Sequence, residues 1–412
     1  MRGMSTWIIG AALCGAAAPS LALTPAEIDR GARYATHALE RTTRSLASNR
    51  MRGRDNDTVD SRRAQHYLLQ RLKRRGAGVN AAATGIAAYR QPFERAGQAG
   101  TNLFAVIRGR ELPDEYVIVG AHYDHLDTRS SGGGDCSSTG PSGGEVCNGA
   151  TDNATGVAMV LAIGSAIRRL PERPRRSVIL ALWDAEEDGL LGSAHYVENP
   201  LVPLAATTAY VNFDIQGATL LPSLRNSSFA VGSETGGSVL RGIVDQAIAA
   251  HSLEVRPFSY IFGQLRSDYA SFGGVGIPTV FFSDSTGGCY HTTGDDVGVV
   301  SFDKLKLQSQ IAYRTVVGLA EAPTPPTFVP LNPLLATFED AQSLHAVLSA
   351  AFAADLNLFS AADQALTTGY KLQLDQIIAA GAGAFDSDDI NTVLGAAVTL
   401  IGTLTNTGCQ RF

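Results

Sequence analysis

Short apolar runs alternate with helical segments through the middle of the chain, and this alternation constrains the fold more than any other feature. Helical segments at about 153–169, 236–251 and 301–319 alternate with strand-like runs. Strand–helix alternation at this spacing predicts an α/β fold with a mostly parallel, mixed central sheet and helices on both faces. We expect this domain to occupy residues 101–322. The strand-like runs lie at residues 104–107, 116–119, 177–183, 208–213 and 278–282.

The N-terminal hundred residues comprise a leader and two helical stretches. Residues 1–22 contain a basic start, a short apolar core and small residues up to Ala22, which is the pattern of a signal peptide cut after Ala22. Residues 23–100 carry amphipathic helical stretches at about 25–47 and 59–75 that lead into the α/β domain. We therefore expect an exported protein, either secreted or periplasmic.

The C-terminal part of the chain is set off by prolines. Residues 323–330 include Pro-Thr-Pro-Pro and are predicted to form a linker. Residues 331–412 are rich in Ala and Leu, and their helical periodicity predicts a small helical C-terminal appendage. Because this region follows a Pro-rich break, we expect it to be dispensable for the chemistry. Its predicted helices lie at about 339–357, 360–379 and 387–403.

Charge and hydropathy argue against two classes of partner. The 412 residues carry a net charge of -6, with no dense Lys/Arg run near an aromatic cluster. Nucleic acid and anionic membrane are therefore poor candidate partners. Beyond the leader, no segment reaches the roughly 18 uninterrupted apolar residues of a membrane helix. We expect a soluble protein, and a monomer is compatible with the sequence.

Four cysteines remain once Cys14 is removed with the leader. An even number in an exported chain favours disulfides. Cys136 and Cys147 lie in one Gly/Ser-rich loop and form the natural local pair. That pairing leaves Cys289 with Cys409, although four cysteines allow three pairings.

Five short segments hold most of the unusual polar residues of the chain. Four of them directly follow a predicted strand, and the remaining one opens a helix. In an open parallel sheet, ligands bind beyond the carboxyl ends of the strands, so these side chains are expected to converge in one crevice. The segments centre on His122, Asp152, Glu186–Glu187, Asp214 and His291.

Each segment has a structural explanation when it is taken singly. Asp152 before an apolar run is an ordinary helix cap, and Glu186 and Glu187 suit the start of a helix. Together, two imidazoles and three carboxylates are nitrogen and oxygen ligands suited to zinc, and adjacent metals need a shared carboxylate. Asp124 lies two residues past His122 and can orient a neighbouring imidazole. Spacing alone does not decide which of the two glutamates binds metal.

Six stretches of the chain carry a family resemblance, in the family's order. They are VGAHYDHL around His122, NGATDNATG around Asp152, EEDGLLGS from Glu186, NFD ending at Asp214, Ser267-Asp268 and Tyr290-His291-Thr292. With them, residues 101–320 resemble the zinc exopeptidase family that includes bacterial leucyl aminopeptidases and glutamate carboxypeptidase II. The resemblance covers about half of the chain and implies an enzyme that hydrolyses peptides.

The resemblance also implies a role for each residue of the site. Asp152 would bridge two zinc ions, one completed by His122 and Asp214. The other would be completed by Glu187 and His291, which leaves Glu186 as the general base for a water activated by the metals. Tyr290, beside a ligand, is a candidate hydrogen-bond donor to the developing oxyanion, or else it only packs.

The chain departs from the family's pattern in several places. Tyr269 stands where the family usually has His, which leaves the role of the Ser267-Asp268 stretch open. The Gly/Ser-rich loop 130–149 is long; we expect it to wall the substrate cleft, and the alternative is a tolerated insertion. Asp295 lies near where the family places a supporting acid. His125 is expected to be an ordinary polar residue.

Release of N-terminal residues by a secreted metallo-aminopeptidase is the leading interpretation, because a metal with nearby acids can receive a free amine. A carboxypeptidase or dipeptidase of the same family stays open, since four arginines that follow Asp214 could bind a substrate carboxylate. The complete ligand set argues against a single-zinc glutaminyl cyclase and against a binding ectodomain without metals. The four arginines are Arg225, Arg241, Arg256 and Arg266.

Overall fold

The computed structural model describes residues 22–128, 136, 145–330 and 335–410. Apart from Ala22, the predicted leader lies outside these residues. Most of the loop 130–149, which was predicted to wall the substrate cleft, also lies outside them.

A mixed sheet of eight strands forms the centre of the described chain. Its strands are β1 (Arg90–Arg95), β2 (Gln98–Ile107), β3 (Leu112–His122), β4 (Arg176–Trp183), β5 (Thr207–Phe213), β6 (Ser227–Val231), β7 (Glu254–Phe258) and β8 (Thr279–Ser283). They lie in the order β1-β2-β4-β3-β5-β8-β6-β7. The pairs β3/β4, β3/β5, β5/β8 and β6/β7 are parallel, and the other three are antiparallel. This arrangement confirms the predicted fold class.

Both edge strands contain a proline, Pro92 in β1 and Pro257 in β7. Proline has no N–H to donate to a ladder, so a sheet tolerates it at an edge. The sequence analysis missed both edge strands because their charged residues break the apolar runs. It also missed β6, a five-residue strand that begins with two serines.

Helices cover both faces of the sheet, as predicted. One face packs against α1 (Pro25–Tyr34), α2 (Leu39–Leu46), α3 (Val59–Leu72), α4 (Thr155–Ile167), α6 (Gly237–Ala249) and α8 (Phe302–Glu321). The single helix expected at 25–47 is broken into α1 and α2, and Ala38 between them has a left-handed φ of 67°. The stretch Ala150–Ile167 is long and apolar enough to cross a membrane, but 94% of it is buried inside the protein, as in a core helix.

The second face packs against α5 (Leu191–Glu198), α7 (Tyr269–Gly274), α9 (Phe338–Ala354), α10 (Ala361–Ala380) and α11 (Ser387–Thr405). Leu344 of α9 and Leu400 of α11 belong to the same buried cluster as Ile179 and Phe229 of the sheet. The C-terminal helices therefore complete one of the two helical layers. The division of the chain into domains around residues 322 and 330 stays a prediction.

Candidate active site

The polar segments predicted to converge lie at one edge of the sheet, where its central strands end. β3 ends at His122, and β4 ends three residues before Glu186. Asp214 follows the last residue of β5, and Asp152 lies in the irregular turn before α4. The carboxyl ends of neighbouring parallel strands thus bring sequence-distant ligands together.

His122 lies at the buried side of the cluster. Its Nε2 is 3.2 Å from Asp152 Oδ1, 3.3 Å from Asp214 Oδ1 and 3.9 Å from Glu186 Oε2. Its Nδ1 is 3.3 Å from the carbonyl oxygen of Asp124. A carbonyl oxygen can only accept, so Nδ1 donates this hydrogen bond and Nε2 is the ring nitrogen that faces the carboxylates.

A second group forms on the other side of Asp152. His291 Nε2 lies 3.5 Å from Asp152 Oδ2 and 3.0 Å from Glu187 Oε2. The carboxylate of Asp152 therefore contacts both histidines, His122 through Oδ1 and His291 through Oδ2. The two groups of side chains thus meet at Asp152.

The electrostatics of the cluster favour positive charge. Burial opposes charge on the imidazole of His291, but the contacts with Asp152 and Glu187 raise its pKa to about 10. Burial likewise opposes charge on His122, yet Glu186 and Asp214 hold the pKa of its ring well above the usual value. Burial raises the pKa of the Glu186 carboxyl well above its ordinary value, with Asp214 and Glu187 adding to the shift and His122 opposing it. An acid cluster of this kind is stabilised by bound cations.

Asp124 contacts both His122 and the loop that carries Glu187. Its carboxylate Oδ2 accepts a hydrogen bond of 3.2 Å from the backbone N–H of Glu187. Its other oxygen, Oδ1, lies 3.7 Å from His122 Nδ1. The backbone carbonyl and the carboxylate of Asp124 both approach Nδ1 of His122, and the carboxylate also positions the loop that carries Glu187.

His125 and Asp295 also contact the residues of the site. His125, expected to be an ordinary polar residue, is fully buried, and its Nδ1 lies 2.6 Å from Glu187 Oε1. Asp295 accepts hydrogen bonds from the N–H and hydroxyl of Thr151 and from the N–H of Asp152, at 2.9, 2.8 and 3.0 Å. Asp295 thus holds the turn that presents Asp152, in line with the supporting acid that the family resemblance suggested.

Sequence analysis missed Arg54, which is fully buried beneath the site. Its guanidinium donates hydrogen bonds to the carbonyl oxygens of Leu46, Tyr123, Asn148 and Gly149, at distances from 2.7 to 3.1 Å. Burial lowers its pKa to about 10, and the nearby carboxylates oppose that shift. Arg54 fastens the backbone beside His122 to the turn before Asp152, which no local sequence pattern indicates.

Tyr290 lines the same cavity as the acid cluster. Its ring stacks on His291 with centroids 3.8 Å apart, and its hydroxyl accepts a hydrogen bond of 3.2 Å from Arg266. Burial raises the pKa of the Tyr290 hydroxyl well above its usual value. The hydroxyl therefore keeps its proton at neutral pH and has a hydrogen to donate.

The donor set fits zinc. Ligand atoms of His122, Asp152 and Asp214 lie within 4.8 Å of one another, and so do those of His125, Asp152 and Glu187. Imidazole nitrogen and carboxylate oxygen are ligands that zinc accepts in catalytic sites. An α/β sheet with such a donor set at its strand ends suits a metal-dependent hydrolase.

The chain belongs to peptidase family M28, whose model matches residues 102–316. It is 26% identical over 350 residues to leupeptin-inactivating enzyme 1 of Streptomyces exfoliatus, covering 79% of this chain and 70% of that protein. It is 32% identical over 234 residues to the probable glutamate carboxypeptidase LAMP1 of Arabidopsis thaliana. That match covers 53% of this chain and 31% of the plant protein, so the chain spans about a third of that relative's length.

Two solved structures share the fold. The LapA aminopeptidase of Legionella pneumophila superposes with a TM-score of 0.56 at 18% identity, covering 75% of this chain and 78% of that one. A glutaminyl cyclase from an Acidobacteriales bacterium superposes with a TM-score of 0.51 at 16% identity, covering 73% and 97%. At these identities the likeness shows the fold alone. The family match shows that the chain is a peptidase of this class and implies zinc as its metal.

Proposed function

We propose that this protein is an exported exopeptidase with two zinc ions that removes N-terminal residues from peptides. The observation that carries the proposal is the contact of one carboxylate, that of Asp152, with both His122 and His291. A shared carboxylate between two imidazole-bearing sites suits a pair of adjacent metals.

His122 and Asp214 would hold one zinc, and Glu187 and His291 the other, with Asp152 between them. The distances from His122 Nε2 to Asp214 and from His291 Nε2 to Glu187, 3.3 and 3.0 Å, support this division. When bound, the zinc ions would lower the pKa of a coordinated water and polarise the scissile carbonyl. His125, beside Glu187, would hold that carboxylate in place as a supporting residue.

Glu186 would be the general base. Its carboxylate lies within the cluster, 3.9 Å from His122 Nε2, and lines the cavity where a substrate would bind. The carboxylate would take the proton of the attacking water and deliver it to the leaving amine. Its neighbour Glu187 contacts both His125 and His291 and is therefore better placed as a ligand.

Tyr290 would donate a hydrogen bond to the oxygen on which negative charge develops. Its protonated hydroxyl lines the cavity beside the cluster, and its ring is held between His291 and Arg266. Preorganised donors of this kind stabilise an oxyanion in a site from which water is excluded.

The distribution of arginines favours the aminopeptidase over the carboxypeptidase. Arg241 pairs with Glu339 and Arg256 with Glu254, while Arg225 is exposed. Of these four arginines, only Arg266 lines the cavity, and it contacts Tyr290. A single arginine beside the oxyanion position is a weaker site for a substrate carboxylate than a dedicated cationic pocket.

Two disulfides support export. Cys136 bonds to Cys147 and Cys289 bonds to Cys409, as predicted. Disulfides form and persist mainly in oxidising compartments. Together with the predicted signal peptide, they point to a secreted or periplasmic enzyme.

A substrate panel with a chelator tests this function. Leucyl anilide, its N-acetyl derivative and leucyl peptides with free or amidated C-termini would be incubated before and after metal removal and zinc addition. The proposal expects zinc-dependent hydrolysis that requires the free amine and tolerates the amidated end. A requirement for the free carboxylate would indicate a carboxypeptidase, cyclisation of N-terminal glutamine a cyclase, and no turnover of any substrate a binding protein.

A further inference from the structure

An apolar cavity of about 130 Å³ opens beside the acid cluster. Asp152, Glu186 and Asp214 lie at one end of it, and Tyr290 and Arg266 line it as well. Aromatic and aliphatic side chains from the sheet and the loop after β7 form one wall. These are Phe229, Val231, Phe258, Phe262 and Phe281.

A second part of the cavity lining comes from the C-terminal helices. Leu344 and Val347 of α9 lie three residues apart, and the lining residues of α11 recur at intervals of three or four, so each set forms one helical stripe. All of these residues lie outside the range 102–316 that matches the family. The residues of α11 that line the cavity are Ala397, Leu400, Ile401 and Leu404.

We propose that α9 and α11 form a specificity wall, defined as Leu344, Val347, Ala397, Leu400, Ile401 and Leu404, which selects substrates with a large apolar N-terminal residue. This inference rests on the proposed function and names its substrate class. An apolar cavity of roughly 150 Å³ holds a benzene molecule, so the present volume suits a leucine, methionine or phenylalanine side chain. The region expected to be dispensable for the chemistry is thus assigned the selection of substrate.

The lining of this cavity disfavours charged substrate side chains. Apart from the metal-site acids, Arg266 is the only ionisable group with a permanent charge among the described residues that line it. A lysine or glutamate side chain that enters between the phenylalanines and leucines would lose its hydration there, and Arg266, the one cation of the described lining, already contacts Tyr290. An apolar side chain would instead gain from burial in proportion to its area.

The specificity wall is fastened to the rest of the site at both helices. Asp340 of α9 accepts hydrogen bonds of 2.7 Å from the backbone N–H and the hydroxyl of Ser259, the residue that follows β7. Beyond α11, Cys409 is bonded to Cys289, two residues before His291. The chain therefore holds the specificity wall against the loop after β7 on one side and the ligand loop on the other.

A larger side chain on the specificity wall, which would fill part of the cavity, tests the proposal. Ala397→Phe places a ring at a lining position, and Val398→Phe, at the neighbouring position with 60% exposure, is the matched control. The measurement is kcat/KM on alanyl, lysyl, leucyl and phenylalanyl anilides. We expect wild type to prefer the leucyl and phenylalanyl substrates, and Ala397→Phe to lower the phenylalanyl-to-alanyl ratio by about tenfold or more. Val398→Phe should leave that ratio unchanged.

An unchanged ratio in a folded Ala397→Phe variant would overturn the specificity wall. If that variant does not fold, Leu400→Ala gives the test, with an expected fall of about tenfold in the leucyl-to-alanyl ratio and no fall if the wall plays no part. If the wild-type enzyme preferred alanyl or lysyl anilide, this inference would also be overturned, but the proposed aminopeptidase activity would still stand. Absence of any hydrolysis would instead contradict the proposed function.

Discussion

The acid cluster and the specificity wall lie on the same cavity but differ in origin and in chemistry. The cluster is built from the ends of β3, β4 and β5 and from two loops, and its side chains are charged and cross-linked by short contacts. The wall is built from α9 and α11 and presents only apolar atoms. The comparison separates two tasks: the sheet supplies the chemistry, and the C-terminal helices select the side chain on which it acts.

The largest expected effect comes from the cluster. Glu186→Gln removes the proton carrier but leaves the five proposed ligands in place, so kcat should fall about 10³-fold. The loss should be equal for alanyl, leucyl and phenylalanyl anilides, because the base does not contact the side chain. Zinc content measured by mass spectrometry serves as the control and should match wild type. A full-rate variant would remove Glu186 from the mechanism.

A second change within the cluster should be smaller. Tyr290→Phe keeps the ring that stacks on His291 and removes the hydroxyl, so kcat should fall about 10²-fold with little change in KM. Steady-state kinetics on the three anilides would measure it. If Tyr290 only packs, kcat would stay at the wild-type value.

Removing the tether at the wall should change preference more than rate. The Cys289–Cys409 bond spans 120 residues, and its loss should lower the free energy of unfolding by about 2–4 kcal/mol. Because α11 is then less firmly held, the double Cys→Ser variant should lose part of its preference for large side chains. The comparison is the Cys136–Cys147 pair, separated by 11 residues, which joins no residue next to α11, so its removal should change preference less. If both disulfide variants had the same side-chain preference, the Cys289–Cys409 bond would not be what holds the specificity wall.

The smallest expected effect is a pH dependence of the free energy of unfolding that comes from Glu234. Burial, with Asp340 of α9 adding to it, raises the pKa of the Glu234 carboxyl to about 7, against a hydrogen bond from Tyr260 N–H. Between about pH 4.5 and pH 7, the folded state therefore keeps a proton on Glu234 that the unfolded state releases. The contribution of this proton to the free energy of unfolding is complete below about pH 4.5 and is lost as the pH rises through 7. Glu234→Gln should remove this dependence.

At pH 8 the Glu234→Gln variant should be about 2 kcal/mol more stable than wild type, and at pH 4.5 the two should be alike. Denaturant unfolding at both pH values would measure the difference. Glu94→Gln, at an exposed position of the edge strand β1, is the control and should change neither value. A gain that is equal at both pH values would show that titration of Glu234 is not its source.

The acid cluster could be predicted from the sequence, whereas the specificity wall could not. Residues of the cluster were found because charged side chains at the ends of apolar strands are unusual, and their order matched a family. The wall was not found, because Leu400 in an Ala/Leu-rich helix has the same pattern whether it packs against a core or lines a cavity. Arg54 was missed for a related reason: its partners are backbone carbonyls distant in sequence.

Zinc titration of the metal-free protein, followed by leucyl anilide hydrolysis, tests the central claim most directly. With Asp152 shared between two sites, activity should rise to its plateau at two zinc ions per chain, and Asp152→Asn should bind less zinc and remain inactive. A plateau at one zinc ion, or full activity before zinc is added, would contradict the two-metal account.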